Sequence, residues 1–211
     1  MNDHDHNHNH EFNSDLVKDI AGWSSEDELN LLYKFSSEAT GPIVEIGSWM
    51  GRSTIALAEG SKISNQKVYA VDTFHGGENT HELDKYFSAE NPDNIYQKFQ
   101  SNIKRADVAD QVIVKRGLSI DVVKQWNNSI GMIFIDGDHS YKAVLEDGEN
   151  WLPFLQVGGI AAFHDFRPNP KQGNYQARIG VMLTVTDLII KSDNYEFVDF
   201  VGLLYIAKKV K

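Results

Sequence analysis

The chain has no cysteine among its 211 residues, which excludes disulfides and thiolate chemistry and is compatible with a reducing compartment. It has no apolar run approaching the roughly 18 residues of a membrane span. No basic segment leads into an apolar one at the N-terminus, so no secretory signal is expected and the location expected is cytoplasmic. Basic residues are few: 20 Lys and Arg stand against 30 Asp and Glu, a net charge of −10, and no Lys/Arg run occurs. Phosphate backbones need a basic face, so nucleic acid is excluded as a partner. A membrane is excluded with it, and a homo-oligomer is left open.

With 41% apolar residues the chain can bury one substantial core. Residues 1–14 read as a disordered polar tail in which His4, His6, His8 and His10 alternate with Asn and Asp. No second cluster completes a rigid metal site there. Residues 15–211 read as a single domain.

The richest segment is Ile43-Val44-Glu45-Ile46-Gly47-Ser48-Trp49-Met50-Gly51-Arg52-Ser53-Thr54. It reads as a buried strand, a glycine loop and a helix start. Val68-Tyr69-Ala70-Val71-Asp72 reads as the next strand, with a carboxylate at its tip. Glycines let a backbone approach a ligand closely, and a carboxylate about 20 residues on can accept ribose hydroxyls. An adenosine-containing cofactor is expected. The spacing is E-x-G-x-x-x-G, not the G-x-G-x-x-G that turns a helix N-terminus toward a diphosphate. Trp49 fills the place of the tight glycine. That favours a cofactor without phosphate, such as S-adenosylmethionine, and Glu45 adds a carboxylate to meet a cationic group. Glu45, Gly47, Ser48, Gly51, Ser53 and Asp72 are the expected cofactor-binding residues here.

The periodicity predicts an α/β fold: a Rossmann-like, doubly wound, mostly parallel seven-stranded sheet with a C-terminal antiparallel hairpin. Ser25 and Glu28 fit a capping box for a helix ending at Gly41-Pro42. Strands are expected at 42–47, 67–73, 111–115, 130–135, 159–163, 195–200 and 203–208, with Val201-Gly202 turning the hairpin. Helices are expected at 51–61, 93–105, 140–155 and 177–190. The stretches from His75 to Pro92 and from Phe166 to Gln176 are expected to be loops that close over a site. Phe74, Tyr86, Phe87, Phe166 and Tyr175 are candidates for apolar contact with a substrate.

A second constellation follows. Ile135-Asp136-Gly137-Asp138-His139 ends one strand and Phe163-His164-Asp165 ends the next. Ligands of doubly wound sheets lie outside the carboxyl ends of the strands. Asp136, Asp138, His139, His164 and Asp165 are expected to gather there, and their three carboxylates with one or two imidazoles could hold Mg²⁺ or another divalent metal, which would lower the pKa of a substrate hydroxyl. His139 or Asp138 is expected to take the proton.

The segments VEIGSWMGRST, VYAVDTF and MIFIDGDHSYKAVLEDGENWLPFLQVGGIAAFHDF together resemble a class I S-adenosylmethionine-dependent methyltransferase. More narrowly, they resemble the small-molecule, macrocin O-methyltransferase-like group, over about Gly22 to Asp165. The resemblance implies that Glu45, Gly47 and Gly51 surround the methionine part of the cofactor and that Asp72 takes the ribose. Leu118, Ser119 and Asp136 also fall at cofactor positions, the first two near the adenine. It places Asp136, His164 and Asp165 at the metal-ligand positions and Asp138 and His139 where relatives carry the base. His164 departs from the pattern, since those relatives more often have Asp or Glu there. The implied reaction is attack by an oxygen of a small-molecule acceptor on the sulfonium methyl.

Three other readings share parts of these residues. A nicotinamide oxidoreductase would want the missing diphosphate glycines. A metal-dependent hydrolase would use the acidic and histidine cluster and leave the glycine loop unexplained. A non-catalytic adenosine-cofactor-binding protein would keep the fold alone. The acceptor itself, whether sugar hydroxyl, phenol, macrolide-like product or carboxylate, stays open.

Overall fold

A computed structural model of the chain describes residues 11–75, 93–166 and 175–211. The His-rich segment 1–10 and most of both expected loops (76–92 and 167–174) lie outside the described residues. Packing reaches ahead of residue 15: Phe12 is buried against Tyr33, and Val17 and Ile20 follow it into the core.

The first helix, α1 (Glu26–Ser37), is started by the expected capping box, in which Ser25 and Glu28 satisfy each other's backbone N–H groups. It buries Leu29, Leu32 and Phe35. Strand β1 (Ile43–Ile46) then leads through the glycine loop into α2 (Arg52–Ser64), and β2 (Val68–Asp72) follows. Next come α3 (Asn94–Arg105), β3 (Val112–Arg116), the short α4 (Ser119–Val122) and β4 (Ile130–Ile135). The chain continues with α5 (Tyr141–Trp151), β5 (Leu155–Phe163), α6 (Tyr175–Val185), β6 (Tyr195–Val201) and β7 (Leu204–Lys209).

The seven strands form one sheet in the order β3-β2-β1-β4-β5-β7-β6. β7 pairs antiparallel with both neighbours, and β1 to β5 run parallel. β4 is buried along its whole length, as a central strand covered on both faces must be. One core layer, with Leu29, Ile55, Leu57 and Phe99, lies under α1, α2 and α3. The other, with Val144, Trp151, Val181 and Val185, lies under α5 and α6. Among the described residues no helix is long and apolar enough to cross a membrane.

The α5–β5 junction and the hairpin turn differ from expectation. α5 stops at Trp151, and a 3₁₀ turn (Leu152–Phe154) carries Pro153, which cannot donate inside an α-helix. β5 therefore begins at Leu155, and its register against β4 shifts between Ile130 and Met132. In the hairpin, Val201 pairs with Leu204, so the turn is Gly202-Leu203 rather than Val201-Gly202. Gly202 takes a φ of +60° there.

The topology places the site. The chain winds outward from β1 to β3 and returns beside β1 as β4, which makes the β1/β4 boundary the switch point at which such sheets bind ligands. Ile46 stands level with Val71 and with Ile135, and Ile135 with Phe163. Gly47, Asp72, Asp136 and the His164-Asp165 pair therefore emerge along one edge.

Candidate active site at the carboxyl edge of the sheet

The glycine loop is bound by Asp72. Its Oδ2 accepts the backbone N–H groups of Ser48 and Trp49, each at 2.7 Å, and its Oδ1 that of Phe74 at 2.6 Å. A carboxylate offers about four acceptor positions, so roughly one remains for a ligand hydroxyl. Gly47 is required by contact: at φ +87° its backbone lies so close to β4 that a Cβ would come within 2.2 Å of the Asp136 carbonyl oxygen. Gly51 is left-handed too, but a side chain there would meet Phe99 and Ile103, so its role is packing at the start of α2.

Glu45 and Ser53, both expected at the cofactor, meet beneath the loop instead. Glu45 is fully buried on the α2 face of β1 and accepts hydroxyls from Ser53 at 2.6 Å and Thr54 at 2.5 Å. Burial pushes its carboxyl up to about 7, against those hydrogen bonds. Ser48 Oγ is buried close by, near enough to help hold the Glu45 carboxyl down, yet it has no partner at hydrogen-bond geometry among the described residues, which leaves it available to a ligand.

The sign of the Glu45 shift yields a stability expectation. Between its ordinary 4.5 and about 7 the folded chain holds a proton that the unfolded chain has lost. Stability from this group is full below the lower value and falls as pH rises to the upper one, by up to about 3 kcal/mol. Glu45→Gln removes that slope. Urea unfolding at pH 5 and pH 8 should show wild type losing stability relative to the variant, and parallel pH dependence in the two would contradict it.

Trp49, at φ +42°, turns aside and stacks on Trp23 with centroids 4.7 Å apart and planes 13° from parallel. Trp23, which sequence reasoning passed over, is 46% exposed. Leu118 is also well exposed, at the tip of β3. The Ser119 hydroxyl donates to Asp147 at 2.5 Å and accepts from Trp151 Nε1 at 2.8 Å, joining α4 to α5. Burial pushes Asp147 up to about 6. Of the proposed apolar contacts, Phe74 is core, packed on Tyr96 and Phe99, and Phe166 packs on Phe200 and Tyr205. Tyr86, Phe87 and the Tyr175 side chain lie outside the described residues.

The second constellation gathers, with one exchange. Asp136, His139 and Asp165 each bring an oxygen or nitrogen within 4.8 Å of the others. His139 Nε2 lies 3.5 Å from Asp136 Oδ1, and its Nδ1 lies 3.3 Å from Asp165 Oδ2. Asp165 is buried and takes a left-handed φ of +58°, unusual for a residue with a Cβ. Asp138 stands apart: its Oδ1 accepts the Ser140 backbone N–H at 2.7 Å, leading into α5.

His164, expected as a metal ligand, does not join that group. Its Nδ1 lies 3.1 Å from Asp136 Oδ1 and its Nε2 3.6 Å from Glu28 Oε1. Burial opposes a charged ring, but the Asp136 and Glu28 carboxylates outweigh it and hold the imidazole well above its usual range. Burial would raise Asp136 too, yet His164 and His139 hold it below the usual carboxylate range. Burial also works against the Glu28 carboxylate, and His164 with the Leu203 and Ser25 N–H groups brings it to about 2. Glu28 was legible only as a helix cap.

A family model described as a methyltransferase domain matches residues 44–166, from β1 through the end of β5. The chain belongs to the methyltransferase domain family. The expected class I methyltransferase resemblance and the Rossmann-like sheet are thereby borne out. The methyltransferase domain has a curated relative in the uncharacterized protein y4gI of Sinorhizobium fredii, 24% identical over 125 residues. That match covers 58% of this chain and 13% of the relative, so the chain spans about an eighth of its length. Among solved structures, the O-methyltransferase NovP superposes with a TM-score of 0.66 at 17% identity, over 89% of this chain and 81% of that one. The O-methyltransferase TomG from Streptomyces achromogenes, in complex with SAM, gives 0.65 at 16% identity over 94% and 87%. An O-methyltransferase from Bacillus cereus, in complex with SAH, gives 0.63 at 22% identity over 94% and 87%. At these identities the likeness is one of fold.

Proposed function

We propose that the protein is an S-adenosylmethionine-dependent O-methyltransferase acting on a hydroxyl of a small molecule, assisted by a divalent metal. The observation that carries this is the juxtaposition, across the β1/β4 switch point, of a loop fit for the cofactor with an Asp-His-Asp group fit for a hard cation. The orphaned Ser48 Oγ and the remaining acceptor position on Asp72 suit a nucleoside with free hydroxyls. In the proposed mode Gly47, Ser48 and Asp72 contact the cofactor, with Leu118 near its adenine and Asp136 alongside. Glu45, Gly51, Ser53 and Ser119 shape that surface from beneath.

Two carboxylates and an imidazole suit Mg²⁺ or Mn²⁺. Asp136 and Asp165 would hold the ion, which when bound lowers the pKa of a hydroxyl oxygen. The cofactor, when bound, supplies an electrophilic methyl. The chain's own part is to align the acceptor oxygen with that methyl and to exclude water, and such alignment can supply about 7 kcal/mol or more of the barrier. His139, a third exposed and within 3.5 Å of both carboxylates, takes the proton.

The same closeness supports a second reading, in which His139 is the third metal ligand. His139→Ala separates them. With His139 as base, the variant keeps Mn²⁺ binding and loses transfer of labelled methyl to a panel of hydroxyl acceptors by about 100-fold or more. A comparable loss of Mn²⁺ affinity would assign it to the metal. Transfer at the wild-type rate would contradict both.

A further inference from the structure

Glu28 lies on α1, outside the matched methyltransferase segment, and the proposed chemistry leaves it unused. It is nonetheless built into the floor of the site. Its side chain is 3% exposed. Oε2 accepts the Ser25 N–H at 2.6 Å and the Ser25 hydroxyl at 2.9 Å, and Oε1 accepts the Leu203 N–H at 2.6 Å. Two distant chain segments, the entry to α1 and the β6–β7 turn, thus hold one carboxylate still. The turn is shaped around it, because a Cβ on Gly202 would come within 2.4 Å of Oε1.

From Oε1 the line continues inward. His164 Nε2 stands 3.6 Å away, and the opposite ring nitrogen stands 3.1 Å from Asp136 Oδ1. A carboxylate faces each nitrogen, Asp136 at hydrogen-bond distance and Glu28 across a longer ion-pair gap, so the ring has one favourable orientation. Both imidazoles near Asp136 contact its Oδ1. Oδ2 has no hydrogen-bond partner among the described residues and is left for a cation.

We propose that Glu28 is a positioning residue which, through His164, fixes the Asp136 carboxylate in the orientation that receives a divalent metal. This rests on the metal reading above. Groups that orient a ligand from behind commonly set metal affinity by about 10- to 100-fold.

The test is Mn²⁺ binding to the full chain, read from the free-ion signal in electron paramagnetic resonance, which needs neither cofactor nor acceptor. Glu28→Gln is expected to raise the Mn²⁺ Kd about 10- to 100-fold. His164→Asn is expected to do the same, since its amide can donate to Asp136 but cannot span to Glu28. Leu32→Ala opens a cavity beneath α1 while leaving the hydrogen bonds of Glu28 in place, and should lower the melting temperature while leaving the Mn²⁺ Kd unchanged. Unchanged Mn²⁺ affinity in Glu28→Gln would overturn the proposal, as would an equal loss in Leu32→Ala, which would mark general loosening. If Glu28→Gln does not fold, His164→Asn decides by the same criterion. A wild-type chain that binds no Mn²⁺ would overturn the metal reading itself, and is distinguishable from wild-type binding with unaffected variants.

Discussion

Asp72→Ala is expected to weaken binding of S-adenosylhomocysteine about 100-fold and to lower the stability of the ligand-free protein by about 3 kcal/mol. The two effects have separate origins. A carboxylate bound to a ribose hydroxyl contributes a charge-assisted hydrogen bond, and about 3 kcal/mol for it corresponds to the loss in affinity. The stability term belongs to the loop. Three backbone N–H groups, those of Ser48, Trp49 and Phe74, lose their acceptor together, at about 1 kcal/mol each. A residue present only for the ribose would leave the ligand-free protein unchanged. Calorimetry with S-adenosylhomocysteine and urea unfolding without it read the two terms independently. Normal stability would contradict the loop-binding role, and normal affinity the ribose role.

Asp136→Ala is expected to abolish Mn²⁺ binding, to reduce methyl transfer below detection and to cost about 3 kcal/mol of stability. Asp136 is the shared partner of both imidazoles. Removing it takes away the nearer of the two carboxylates paired with the buried His164 ring, and a buried charge that loses a partner is strongly destabilising. Asp136 keeps a fifth of its side chain exposed, which places the cost at the lower end. Asp136→Asn should retain more stability, through its amide oxygen, while still failing to bind Mn²⁺. Urea unfolding and metal titration check both variants. Metal binding in Asp136→Ala would remove Asp136 from the proposed site.

The strands and the edge that carries the site were legible in the sequence because both rest on short-range patterns. β1, β2 and β4 are near-continuous apolar runs, and each ends in a glycine or a carboxylate. What was not legible is which way particular side chains point across the fold. Glu45 and Ser53 look like ligand groups in a line of text, yet the alternation of β1 turns Glu45 toward α2 and into its hydroxyls. His164 sits beside Asp165 in sequence and reads as its co-ligand. Its ring lies between Asp136 and Glu28, and the Glu28 contact, 136 residues earlier, is one that no local spacing encodes. The same long-range contact explains why the hairpin turns at Gly202-Leu203: Leu203 must present its N–H to Glu28. Pro153 was in plain view, and ending α5 at it would have found the early start of β5.

The central claim is that the β1 loop and Asp72 bind S-adenosylmethionine rather than a dinucleotide. Isothermal titration of the full chain with S-adenosylhomocysteine and, separately, with NAD tests it most directly. The expected result is saturable one-to-one binding of S-adenosylhomocysteine, weakened about 100-fold in Asp72→Ala, with no heat from NAD. Saturable binding of NAD, or no binding of S-adenosylhomocysteine by the folded wild-type chain, would contradict it.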